Sequence, residues 1–272
     1  MPDLEIHQYE VTGSLGRHCV LDPRSLAYRR RYTGDPLHPV EWAPKVPVLD
    51  QQNLSQQGIR TSTLFEGVDD VDALGSCTGN AATALISVLH GLEALDDAGL
   101  SVADAGAAEA WAIGLYSDAT HRDQWHDDAW PATDCGSSGL GVAKALRHRG
   151  LIDQYGHATT AEELAALLQT GPVLMGLPWR SSFSDAGLAG FIDADPMWST
   201  SPLEGGHEVC ITALEDLDLN ADGTVADSTV LRFVNSWSAS WGDLGYGRLT
   251  VGTYRTLRSE IDLVQPRLDA SR

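Results

Sequence analysis

Basic side chains are scarce in this sequence, which has 18 Lys plus Arg against 38 Asp plus Glu among 272 residues. The net charge is therefore -20, and a field of that sign repels phosphate backbones. We therefore expect no nucleic-acid partner. The negative charge favours solubility but does not identify a function, so the reactive residues have to be found from motifs and spacing.

Long apolar runs are also missing. No stretch approaches the roughly 18 residues that a membrane helix needs, and the N-terminal segment MPDLEIHQYE lacks the apolar region of a secretory signal. We therefore expect no membrane partner and a protein that is cytoplasmic or virion-associated.

Cysteine is rare, and Cys19, Cys77, Cys135 and Cys210 are far apart in the chain. No CxxC pair indicates a zinc or redox site, so we expect reduced thiols, no bound metal and no cofactor. The acidic run at 216–223 resembles the first half of an EF-hand loop, but Thr229 stands where the last ligand should be Glu. We interpret this run as a polar hairpin turn, with calcium binding as the less favoured alternative.

The apolar pattern changes character along the chain. Residues 1–45 contain turn signals without regular periodicity and are interpreted as an N-terminal arm, either a pro-segment or a brace between lobes; residues 46–272 form one domain. Helical spacing predicts helices over 77–96, 103–120, 139–149 and 160–168. Short apolar runs predict strands over 172–178, 208–213, 229–235 and 246–251. Helices first and strands later predict an α+β protein with two lobes.

Cys77 stands in the run GSCTGN, at the predicted start of the first long helix, with Ser76 as a candidate N-cap. The free N–H groups and the positive end of the helix dipole stabilise a thiolate there. A small buried Cys near a helix start is the competing interpretation, so the assignment depends on finding a partner base.

Two later segments supply that partner. His207 stands in GGHEVC, at the entrance of an apolar strand, and Asn235 ends another strand in FVNSW. An amide oxygen can accept from the imidazole N–H and fix the ring, and Trp237 can shield that bond from water. Cys77 lies 130 residues before His207 and 158 before Asn235, close to the spacing of about 130–150 typical of the papain group.

Together, GSC opening a helix, GGHEV opening a strand and NSWSASWGDLGYGRL resemble the papain-like cysteine peptidases, over roughly residues 46–260. The likeness is best to bacterial and phage members with GSCTGNA. It implies a helical left lobe, a β-rich right lobe and a cleft between them that binds a polypeptide substrate. It also implies substrate contacts at Gly136, Ser137, Ser138 and Trp237.

The resemblance implies catalytic roles as well. Cys77 would attack as a thiolate, His207 would act as acid and base from a resting ion pair, and Asn235 would orient His207. The backbone N–H of Cys77 would be one donor of the oxyanion hole.

The second oxyanion donor departs from the pattern. The family has Gln six residues before the Cys, where this sequence has Val71. The pair Asp50-Gln51 resembles the family's DQ pair followed by an insertion, so Gln51 is the candidate if that insertion loops out; Gln52 and Gln57 are weaker candidates.

Three functions follow as hypotheses. The first is a cysteine-type endopeptidase. The second is a catalytically weak or inactive papain-like module that binds partner proteins, for instance as an assembly component of a virion. The third is a related thiol chemistry, such as a cell-wall amidase or an acyl transferase.

Overall fold

The computed structural model describes residues 15–18, 23–123 and 129–269. The helices are α1 (Thr61–Leu64), α2 (Cys77–Leu89), α3 (Leu92–Asp97), α4 (Ala105–Thr120), α5 (Gly139–His148), α6 (Ala161–Leu168) and α7 (Val251–Leu257). The strands are β1 (Val40–Glu41), β2 (Gln154–His157), β3 (Val173–Arg180), β4 (Leu203–Asp216), β5 (Val230–Val234), β6 (Tyr246–Thr250) and β7 (Asp262–Arg267).

One antiparallel sheet organises the second half of the chain. Its strand order is β2-β7-β3-β4-β5-β6, and β1 pairs with β4 outside this path. The long strand β4 contacts both β3 and β5, and its ladder with β5 shifts register between Ile211 and Ala213. An apolar cluster that includes Val209, Ile211 and Phe233 supports this sheet.

The helical half is built around α2, which buries every residue from Cys77 to Ser87. Most of these side chains are small, so α4, α5 and β4 all pack closely on one helix. The cluster of Ala82, Leu85, Leu115 and Leu146 fills the space between the helices. The expected two-part α+β architecture, helical on one side and β-rich on the other, is therefore confirmed.

The first predicted helix is wrong in its length. The structure ends α2 at Leu89, and α3 begins at Leu92, because His90 adopts an extended conformation with φ -104° and ψ 149°. The ring of His90 bonds to the carbonyl of Leu151, at 2.8 Å. A tertiary contact thus accompanies a break that the continuous apolar spacing does not reveal.

The other predicted elements are present with shifted ends. Asp104, Ser138 and Thr160 act as N-caps of α4, α5 and α6 through their side chains. Five elements were missed because they are short or lie in weakly patterned sequence: α1, β1, β2, β7 and α7. The strand β7 matters most, since it brings Asp262 opposite Gly176 of β3.

Residues 23–45 run along the sheet side before they reach the helices. The Arg29 guanidinium contacts Glu163 with Nη2 2.8 Å from Oε1. After β1, Lys45 donates from Nζ to the carbonyls of Ser87 and Val88, at 2.7 and 3.0 Å, at the end of α2. This segment therefore contacts both halves of the protein.

The acidic run before β5 forms a hairpin turn. Leu219 pairs with Val225, and the carboxylate of Asp222 accepts from the backbone N–H and hydroxyl of Thr224. Within residues 15–18, 23–123 and 129–269, no group of three or more His, Cys, Asp or Glu is arranged to hold a metal ion.

No described helix is both long enough and apolar enough to cross a membrane.

Candidate active site

Cys77 and His207 lie where the helical half meets the sheet. Cys77 is the first residue of α2 and His207 lies in β4, and both side chains are fully buried. Ser76 occupies the N-cap position, but its side chain makes no capping bond. The first N–H groups of α2 therefore remain directed at the Cys77 side of this junction.

Asn235 holds the imidazole of His207. Its Oδ1 lies 2.7 Å from Nε2 of His207 and also accepts from the backbone N–H of Ser236, at 2.8 Å. Because Oδ1 accepts from Ser236, the amide is oriented with its oxygen toward the ring, and Nε2 is the protonated nitrogen of a neutral imidazole. That tautomer leaves Nδ1 as the basic nitrogen.

Aromatic rings enclose this hydrogen bond. The Trp237 and His207 ring centroids are 5.0 Å apart, and Trp179 meets His207 edge-on at 4.7 Å. Trp179 is fully buried. The sequence analysis missed Trp179, because its place in an apolar strand did not distinguish it from ordinary core.

Gln51 approaches the same junction from before the insertion. The Leu74 N–H donates to the carbonyl of Gln51, at 3.1 Å, so residues 52–73 loop out between two adjacent points. The Gln51 side chain is buried, donates from Nε2 to the carbonyl of Leu74 and accepts from the Ser236 hydroxyl. Val71 is half-buried beside a separate apolar cluster with Leu54 and Tyr116.

The predicted substrate loop lies on the other side of Cys77. Asp134 connects the two segments, since it accepts from the Gly75 N–H and from the Tyr116 hydroxyl, which in turn accepts from the Gly136 N–H. Ser138 caps α5 and, like Ser137, donates its hydroxyl to Asp123.

Residues 15–18, which we call the cleft segment, lie between the two sides. The Arg17 N–H donates to the carbonyl of Gly206, and the Ser137 N–H donates to the carbonyl of Gly16. The pairing is antiparallel with Gly206 and parallel with Ser137. The Cys77 thiol donates to the Leu15 carbonyl, with Sγ 2.8 Å from the oxygen.

Burial in this arrangement disfavours the charged forms of both reactive groups. Desolvation raises the pKa of the Cys77 thiol, against the opposing effect of nearby backbone groups. Desolvation also lowers the pKa of His207 to about 4, although Asn235 and the Leu15 backbone act in the opposite direction. The expected thiolate–imidazolium pair is therefore disfavoured while the cleft segment is in place.

The other two described cysteines, Cys135 and Cys210, make different contacts from those of Cys77. Cys135 is half-buried and donates to the carbonyl of its neighbour Gly136, whereas Cys210 is buried in β4. Both are free, as expected. Cys19 lies outside the described residues.

Comparisons with known proteins address the fold. No family model and no curated protein matches the chain. Among solved structures, xylellain, a cysteine protease from Xylella fastidiosa, matches 97% of this chain and 99% of its own, with TM-score 0.63 and 16% identity. A digestive procathepsin L 3 of Tenebrio molitor matches 97% of this chain and 84% of its own, with TM-score 0.50 and 14% identity. The chain therefore has the papain-like fold that the resemblance implied.

Proposed function

We propose that the protein is a cysteine-type peptidase in which Cys77 is the nucleophile, His207 the acid and base, and Asn235 the residue that orients His207. The observation that carries this proposal is the position of the Leu15 carbonyl. A peptide carbonyl lies 2.8 Å from Cys77 Sγ and close to the His207 ring. A substrate carbonyl placed there would meet nucleophile and base together.

The reaction would start once a substrate replaces the cleft segment. The Cys77 proton moves to Nδ1 of His207, the sulfur attacks the carbonyl carbon, and the carbonyl electron pair moves onto the oxygen. The backbone N–H of Cys77 and the amide of Gln51 would hold this oxyanion. As the C–N bond breaks, His207 returns the proton to the amine, and a thioester remains on Cys77.

Hydrolysis of the thioester completes the cycle. A water gives its proton to His207 while its oxygen attacks the thioester carbon, and the sulfur leaves and regains a proton. The bond between His207 and Asn235 keeps Nδ1 directed at the reacting atoms in both halves of the cycle. The enclosing Trp179 and Trp237 strengthen that bond by excluding water.

The cleft segment would block this reaction in the resting protein. Its backbone pairs with both sides of the cleft, at Ser137 and Gly206, and its Leu15 carbonyl accepts a hydrogen bond from the Cys77 thiol. It therefore takes the place where an extended polypeptide would bind. Displacement of residues 15–18, with or without cleavage of the N-terminal arm, is the proposed activation step.

The test uses the full chain carrying Arg17→Glu, because this change removes the cation that pairs with Glu208 and places a second acid in the same buried site, which destabilises the docked segment. We expect this variant to digest a denatured protein such as casein. Adding Cys77→Ala should abolish digestion, whereas adding Cys210→Ala, which also removes a buried thiol, should preserve it. Iodoacetamide should label Cys77 before Cys135.

A folded Arg17→Glu protein that neither digests casein nor labels at Cys77 would contradict the proposal and favour the non-catalytic module. Digestion that survives Cys77→Ala would contradict the assignment of the nucleophile. Digestion of peptidoglycan in place of casein would favour the amidase alternative.

A further inference from the structure

A closed acidic pocket lies beside the cleft and holds the side chain of Arg17. The Arg17 Nε atom lies 3.5 Å from Oε2 of Glu208, and Nη1 donates to the carbonyl of Glu260, at 3.3 Å. Only 1% of the Arg17 surface is exposed. The charged Arg17 guanidinium is thus enclosed by the protein.

Two glycines give this pocket its room. A Cβ atom at Gly176 would stand 1.9 Å from Nε of Arg17, so any other residue there would exclude the guanidinium. A Cβ atom at Gly139 would lie 3.1 Å from Oε1 of Glu208 and 3.4 Å from Oδ2 of Asp262. Glycine at 176 lets the Arg17 side chain reach Glu208, and glycine at 139 leaves room for the Glu208 and Asp262 carboxylates beside it.

The buried acids of the pocket can be stabilised by a cation. Glu208 and Asp262 are 1% and 2% exposed, and neither oxygen of Glu208 has a hydrogen-bond partner among the described residues. Burial raises the pKa of Glu208 to about 8; Arg17 acts against this shift, and the charges of Asp262 and Asp123 add to it. A buried acid without a cation takes up a proton, whereas a cation such as Arg17 stabilises its ionised form, so this pocket favours a positively charged occupant.

The other charged neighbours are already engaged. Asp123 accepts from the hydroxyls of Ser137 and Ser138. His157 faces Asp262, with Nδ1 3.5 Å from Oδ1. Glu208 is therefore the acid that depends most on Arg17.

The pocket is a direct neighbour of the reacting groups. Glu208 follows His207 in β4, and the Arg17 backbone pairs with Gly206 on the other side of His207. Only Gly16 separates Arg17 from Leu15, whose carbonyl accepts from Cys77. A peptide held in the cleft by the same backbone groups would present a side chain to this pocket within two residues of the reacting carbonyl.

We propose that the pocket formed by Gly139, Gly176, Glu208 and Asp262 selects substrates with an Arg or Lys side chain within two residues of the cleaved bond. This inference rests on the proposed peptidase function, because selective binding of a side chain is substrate specificity only in an enzyme that cleaves the bound peptide. Arg should be preferred over Lys, because a planar guanidinium reaches both the Glu208 carboxylate and the Glu260 carbonyl. The compact ammonium of Lys does not span both groups.

The binding test separates the pocket from the chemistry. It uses the full chain with Arg17→Ala, to vacate the pocket, and Cys77→Ala, to prevent turnover. Calorimetry compares blocked peptides that differ only in one residue, Arg or norleucine, which has a long uncharged side chain. We expect the Arg peptide to bind at least about tenfold more tightly, the effect of a hydrogen bond to a charged group.

Removing the charge of Glu208 should remove this selectivity. In the same background, Glu208→Gln should reduce the preference to about twofold or less, and Asp262→Asn should reduce it in part. Glu93→Gln removes the same charge from an exposed site on α3 and should leave the preference unchanged. Circular dichroism on each variant identifies any that do not fold, and the two carboxylate variants serve as independent tests.

Turnover then distinguishes the two proposals. In the Arg17→Ala chain with Cys77 intact, fluorogenic peptides carrying Arg should have a kcat/KM at least about tenfold above norleucine peptides. Selective binding without turnover would refute the peptidase function and leave the acidic pocket's selectivity for Arg intact. Turnover without Arg preference, or equal or absent binding of both peptides, would refute the proposed selectivity of the acidic pocket.

Discussion

Two hydrogen bonds join Gln51 to Leu74 across 23 residues of chain: the Leu74 N–H donates to the Gln51 carbonyl at 3.1 Å, and the Gln51 amide donates to the Leu74 carbonyl at 3.0 Å. The segment between them therefore leaves and returns at one place. Gln51 consequently lies beside Leu74, which is three residues before Cys77 in the chain, although Gln51 itself is far from Cys77 in sequence.

Gln51→Ala tests whether this amide stabilises the oxyanion. We expect kcat of the Arg17→Glu protein to fall by about 100- to 1000-fold, since one donor of an oxyanion hole is lost. Iodoacetamide labelling of Cys77 should continue, because alkylation forms no oxyanion. Gln52→Ala is the matched control and should keep kcat; a similar loss in both variants would contradict the assignment.

Asn235→Ala tests the orientation of His207. The variant leaves Nε2 of His207 without its 2.7 Å partner. We expect kcat to fall by up to about 100-fold, a part of the usual contribution of a positioned acid and base, with little change in KM. Steady-state kinetics on one peptide measures both constants, and an unchanged kcat would show that the aromatic rings alone orient His207.

Trp179→Ala tests the missed aromatic residue. Its ring is buried between His207, Trp237 and Phe183, so we expect a loss of about 3–5 kcal/mol in the free energy of unfolding together with a lower kcat. Trp111→Ala, in the helical half, should destabilise the protein without the loss in kcat of the folded enzyme. Urea unfolding and kinetics at low temperature separate the two effects.

Arg17→Glu tests the block by the cleft segment directly. Removing one partner of a buried ion pair is strongly destabilising for the docked state, so we expect Cys77 alkylation to accelerate by about tenfold or more over the unsubstituted chain. Arg29→Glu reverses a charge that pairs with Glu163, away from Cys77. Equal acceleration by both variants would indicate general loosening of the arm and not release of the cleft.

The buried carboxyl of Glu109 should make the free energy of unfolding depend on pH. Burial raises the pKa of its carboxyl from 4.5 to about 7, although Asn80 and the Asp50 N–H donate to it. The folded protein therefore holds a proton that the unfolded chain releases above pH 4.5, so stability falls as pH rises through this interval and levels off above pH 7. The total loss is about 3 kcal/mol.

Urea midpoints between pH 5 and 8 measure this effect. Glu109→Gln should reduce the slope by the contribution of one proton, whereas Glu93→Gln should keep it. A slope that is the same in all three proteins would show that Glu109 is ionised throughout.

The sequence by itself determined the fold class and three side chains that meet at the site. Cys77, His207 and Asn235 each begin or end an element with a strong local pattern, and their order and spacing identify the papain-like arrangement. Helix and strand periodicity depends on near neighbours in the chain, so α4, α5, α6 and β4 could be predicted from it.

Only the tertiary structure decided what surrounds these residues. Trp179, Asp262 and Arg17 come from separate segments, and nothing in their local sequence shows that they converge on His207 and Glu208. The break at His90 and the return of the chain from Gln51 to Leu74 likewise depend on long-range contacts. Burial and charge pairing are properties of the folded whole, and for that reason the blocked cleft and its acidic pocket appear only once the halves are packed together.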